Sequence, residues 1–140
     1  MRALLHTHRH NTRVEYALPP STRSAGQARK LTSVFLARAH RRRAPVTVAC
    51  ADDAALVVAE LVANAVRHGH GSCLLRLAVS PTHVTVEVHD GNPDGPRVRQ
   101  AGGGDEHGRG IAIVRALSES LEVIPAPCGG GKALRAILAG

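Results

Sequence analysis

One hundred and forty residues suffice for a single hydrophobic core, and no apolar run approaches the roughly 20 residues that span a bilayer. The formal charge of +7 is unevenly spread: residues 1–43 carry ten Lys/Arg against Glu15 alone, while residues 44–140 carry eight against ten acids. With one Tyr, one Phe and no Trp, the chain lacks the stacking platforms of a single-strand binder. The basic third therefore reads as a solvated face or a surface for an acidic partner, not a nucleic-acid reader.

Cys50, Cys73 and Cys128 are odd in number and form no C-x-x-C pair. That argues against a disulfide framework or zinc site, and for free, buried thiols in a reducing, cytoplasmic setting. Met1 to Asn11, with His6, His8 and His10, has no hydrophobic periodicity and reads as a disordered basic leader, leaving residues 12–140 as one domain. Thr12–Leu18 alternates as a strand does and stops at Pro19-Pro20. Ser21 or Ser24 then caps a helix to about Arg42, with Ala28, Leu31, Val34, Phe35 and Ala39 on its apolar face. Val46–Cys50 reads as a connector. Asp52 or Asp53 opens the next helix with charge favourable to its dipole, and Gly69 and Gly71 end it.

Leu74–Val79 and His83–His89 read as two strands around Ser80-Pro81-Thr82, the second delivering Asp90. Gly91–Gly110 holds seven glycines and lacks periodicity, the mark of a binding loop or lid. A helix over about Gly110–Ser120 follows, then strands near Leu121–Ile124 and Lys132–Leu138. This order predicts an α/β (α+β) domain, a two-layer sandwich of a mixed, mostly antiparallel sheet with helices on one face.

The stretch Asp52–His70 is nearly all apolar, yet Glu60 and Asn64 interrupt it four residues apart and so share one helix face. Burying a carboxylate and an amide is costly unless something pairs with them, whether a neighbouring loop or a ligand. The glycines downstream invite a phosphate reading, but two familiar motifs fail. A P-loop ending at Gly131-Lys132 would need glycine at Ala126 and Ser/Thr at Ala133, and it precedes a strand. A G-x-G-x-x-G fingerprint from Gly108 would need glycine at Ile113.

Four boxes remain: Glu60-Leu61-Val62-Ala63-Asn64-Ala65, Asp90-Gly91, Gly108-Arg109-Gly110-Ile111, and Gly130-Gly131-Lys132. In this order and at these separations the chain resembles the GHKL (Bergerat-fold) ATP-binding superfamily, and within it the small anti-sigma factor serine/threonine kinases of actinobacteria. The resemblance implies that Glu60 is the catalytic base, and that Asn64 holds a magnesium ion bridging the ATP phosphates. It implies that Asp90, with Gly91, accepts the adenine amino group. Gly108, Arg109, Gly110 and Ile111 would approach the phosphates at a helix N-terminus, with Lys132 as an auxiliary phosphate contact and Gly95–His107 as the ATP lid. ATP and Mg2+ are thus the implied cofactors, and an anti-sigma antagonist or a sigma factor the implied protein partner. The implied activity is transfer of the γ-phosphate to that antagonist; a non-catalytic ATP-binding or partner-sequestering module is the alternative. The sequence sets no oligomeric state and is compatible with a homodimer. Two departures stand out: Ala133 replaces a threonine whose hydroxyl is expected near adenine, and Gly91 directly follows Asp90 where the family's glycine usually comes one residue later.

Overall fold

A computed structural model describes residues 3–8, 11–41, 46–68, 71–91, 106–125 and 131–140. Its elements are β1 (Ala3–His8), β2 (Asn11–Leu18), α1 (Ser24–Arg41), α2 (Val48–His68), β3 (Cys73–Val79), β4 (His83–Asp90), α3 (Glu106–Leu117), β5 (Ser120–Pro125) and β6 (Lys132–Ala139). The six strands order as β1-β2-β3-β4-β6-β5, and each described pairing is antiparallel. The sandwich expected from the sequence is therefore present, though the sheet is not mixed among the described residues. The expected leader also differs, because Ala3–His8 pairs with Asn11–Leu18 as an edge strand.

Sheet parity builds the core. Val14, Tyr16 and Leu18 of β2, Leu75, Leu77 and Val79 of β3, Val84, Val86 and Val88 of β4, and Leu134, Ala136 and Leu138 of β6 are all buried. The registers Tyr16↔Leu75, Leu75↔Val88 and Val88↔Leu134 line these rows up on one face. Side chains alternate along a strand, so a one-residue slip would turn the whole apolar set to the other side. The helices pack on that face, and α2 touches α1, α3, β3, β4 and β6. Leu61 and Val62, fully buried at its middle, tie it to the same core.

Helix boundaries follow local chemistry. The backbone N–H of Cys50 donates to Thr47 Oγ1 at 3.0 Å, an N-cap that starts α2 at Val48, about one turn before the Asp52 expected from charge. Residues 48–50, read as a connector, are thus helical. In α1, Leu36 and Thr32 face the core together with Ala28, Phe35 and Ala39, whereas Val34 is 51% exposed. The buried Thr32 hydroxyl is satisfied by donating to the Ala28 carbonyl at 2.7 Å. Arg29, Lys30 and Arg38 lie on the outer face. No described helix is long and apolar enough to cross a membrane.

The helix-free face of the sheet carries charge pairs within and across strands. Glu15 pairs with Arg76, and Glu87 accepts from Arg135 Nε at 2.5 Å and from His89 Nε2 at 3.4 Å. Burial pushes the Glu87 carboxyl up, but the hydrogen bonds and charges of Arg135 and His89 outweigh it and hold the group below its ordinary value. A depressed carboxyl stabilises the fold above its unfolded pKa, and the contribution is lost as pH falls through the folded one. Arg135→Met is therefore expected to lower stability at pH 7 by about 1 kcal/mol, a hydrogen bond to a charge discounted for the exposure of Arg135. Urea unfolding at pH 7 and pH 3 checks this: the deficit should shrink toward zero in acid, and a deficit equal at both pH values would contradict it.

Candidate functional site

The apolar rows of the sheet end in polar residues at one end. Cys73 begins the helix-facing row of β3, Asp90 ends that of β4 and Lys132 begins that of β6. Asp90 and Lys132 are register partners, so their side chains project to the same side. The ammonium of Lys132 donates to Asp90 Oδ1 at 3.2 Å and Oδ2 at 3.3 Å, with both side chains 2% exposed. A buried carboxylate thus sits in a fixed orientation at the rim of the core. Cys73 lies close enough to feel it: burial, with the negative charge of Asp90 added, pushes its thiol up to about 11. Cys50 and Cys73 are free and buried as expected, whereas Cys128 lies outside the described residues.

The backbone around Asp90 is tight. Gly131 has φ +135°, and a Cβ there would come within 2.1 Å of the Asp90 carbonyl oxygen and 3.0 Å of Gly91 Cα. Only glycine permits both the conformation and the approach, so β6 enters the sheet directly beside the Asp90-Gly91 peptide. Gly131 belongs to the Gly130-Gly131-Lys132 box, and its position just before a strand is the sequence signal of this close approach. Cys73 was legible only as a small buried residue, since its nearness to Asp90 depends on the pairing of β3 with β4.

Glu60 and Asn64 project from successive turns of α2. Asn64 is 7% exposed and Glu60 half-buried, and neither side chain has a hydrogen-bonding partner among the described residues. The Glu60 carboxylate lies against α3: a Cβ on Gly110 would meet its Oε2 at 2.6 Å. The absent side chain at Gly110 is what gives that carboxylate room. An amide oxygen with no hydrogen-bonding partner among the described residues suits a hard cation such as Mg2+, which binds few protein groups and keeps waters and phosphates.

Several expected positions differ. Gly108, Arg109 and Gly110 lie within the first turns of α3, which starts at Glu106, and not in a loop ahead of it. Ile111 is buried in the hydrophobic core, where it anchors α3, and Arg109 is exposed. Lys132, expected at the phosphates, is instead held on Asp90. Ala133 pairs with His89, on the parity opposite to Asp90, so a hydroxyl at position 133 would project away from the Asp90 side. Arg67 and His68 end α2 and are exposed. Of the expected lid, residues 95–105 lie outside the described residues.

No curated protein matches the chain. Residues 20–138 match the family described as the histidine kinase-like ATPase domain, a span from just after β2 to the end of β6 that contains Glu60, Asn64, Asp90 and Gly110. The chain belongs to the histidine kinase-like ATPase domain family.

Proposed function

We propose that this ATP-binding domain is a protein serine/threonine kinase of the anti-sigma factor type, using Mg2+-ATP to phosphorylate an anti-sigma antagonist. The observation that carries the reading is the Glu60/Asn64 pair, two polar side chains without described partners on the otherwise apolar α2. Asp90 provides an acceptor-only carboxylate suited to the adenine amino group, with Gly91 beside it. Asn64 would hold Mg2+ through its amide oxygen; the ion neutralises charge on the phosphates when bound. Helix α3, with Gly108, Arg109 and Gly110 in its opening turns, offers N–H groups and a dipole favourable to anions.

In the transfer step the oxygen of a partner hydroxyl bonds to the γ-phosphorus, and the bond from that phosphorus to the β–γ bridging oxygen breaks. ADP leaves, and the hydroxyl proton passes to the Glu60 carboxylate. Such a reaction depends mainly on positioning and charge stabilisation, so one base and one metal ligand suffice. A non-catalytic, partner-sequestering role shares the nucleotide site and draws support from the exposed Arg29, Lys30 and Arg38 of α1. Both readings place the protein with a protein partner, and a homodimer accords with either.

Phosphate transfer from labelled ATP separates them, with antagonist proteins encoded nearby as acceptors. Transfer to one of them is expected, and Glu60→Gln should slow it at least about 100-fold while leaving ATP affinity nearly unchanged. Tight ATP binding with no transfer to any antagonist would favour sequestration. Calorimetry should show Mg2+-dependent ATP binding weakened by Asn64→Ala; affinity insensitive to both Mg2+ and this change would contradict the metal role.

Gly110→Ala tests the contact between α3 and the base. The added methyl meets the far end of a flexible side chain, so the melting temperature should stay within a few degrees of wild type. Transfer should nevertheless fall about tenfold or more as the carboxylate is pushed aside. A folded Gly110→Ala variant with wild-type transfer would show that the position of Glu60 does not matter.

A further inference from the structure

Lys132 stands in the glycine-rich segment where a phosphate contact is the obvious assignment, yet its ammonium is committed elsewhere. It is 3% exposed, lies at the register position facing Asp90, and donates to both carboxylate oxygens at 3.2 and 3.3 Å. The conformation of Gly131 brings the strand in so closely that the lysine stem starts beside the Asp90 backbone. An ammonium bridging both oxygens fixes the rotation of the carboxylate. A carboxylate has about four lone-pair sites, more than the two that the lysine engages.

We propose that Lys132 is a positioning residue for base recognition: it orients the Asp90 carboxylate that reads the 6-amino group of the purine, and makes no contact with the phosphates. This rests on the ATP reading of the site. Ala133 does not share the task, because its side chain lies on the other parity of β6. Base selectivity therefore depends on a lysine of the strand, not on the hydroxyl that the sequence lacks.

The test compares, by calorimetry on the full chain with Mg2+, the affinity for ATP with that for purine riboside triphosphate, which lacks only the 6-amino group. Wild type should prefer ATP at least about tenfold, and Asp90→Asn should reduce the preference. Lys132→Met should bring the ratio of the two affinities close to one, and Lys132→Arg, which retains a donor cation, should keep it within about threefold of wild type. A phosphate contact or a purely structural lysine would weaken both triphosphates equally, so an unchanged ratio in Lys132→Met overturns the assignment. Should that variant fail to fold, Lys132→Gln, which keeps an N–H donor but not the ammonium, should lower the ratio below that of wild type, and a wild-type ratio in that variant would overturn the proposal. Loss of ATP preference in neither Asp90→Asn nor Lys132→Met would instead overturn the adenine role of Asp90, and with it this inference.

Discussion

The pairing of β4 with β6 governs the site. Register partners Asp90 and Lys132 sit at the end of helix-facing rows that otherwise hold Val84, Val86, Val88, Leu134, Ala136 and Leu138. The apolar rows fix the register, because a slip by one residue would expose all of them. The same register carries the carboxylate and ammonium to the buried side and into contact. An ion pair in such a place is weak grounds for stability, since desolvation offsets much of the attraction. Its value here is directional: it holds one acceptor group still at the rim of a core.

Helix α2 supplies the second half of the site by the same logic. Leu61, Val62 and their neighbours bury it over the sheet, so among the described residues the positions of Glu60 and Asn64 are set by apolar packing and not by hydrogen bonds of their own. α3 then closes on Glu60 at Gly110, where a side chain would collide with the carboxylate. Chemistry that depends on placing a base and a metal ligand gains from having both on one rigid helix. Under the proposed function α2 would contribute the base and the metal ligand, β4 the carboxylate that reads adenine, and α3 a helix N-terminus.

Much of this was legible in the sequence. The alternation in His83–His89 gave β4 and its buried valines, and the i, i+4 spacing of Glu60 and Asn64 in an apolar run marked a shared face. What stayed hidden depended on pairing across distant segments. No local pattern says that Lys132 opposes Asp90, so the lysine after three glycines suggested a phosphate contact. Nor does the sequence show on which side of β6 Ala133 falls, which made a missing hydroxyl look important. Helix starts were misread where a side-chain cap competed with a charge signal: Thr47 begins α2 although Asp52 and Asp53 look more like an opening. Glycines misled in the other direction, since Gly108 and Gly110 suggested a loop but are tolerated inside α3, the second because Glu60 occupies the space. Ala3–His8 has no hydrophobic periodicity of its own to mark it, though partnered with β2 it forms an edge strand.

A crystal structure with a non-hydrolysable ATP analogue and Mg2+ tests the central claim most directly. The adenine amino group is expected on the Asp90 carboxylate with Lys132 still holding it, Mg2+ on the Asn64 amide oxygen, and the γ-phosphate near Glu60 beside the first turns of α3. Nucleotide bound elsewhere, or bound with Lys132 released from Asp90 and turned to the phosphates, would contradict it.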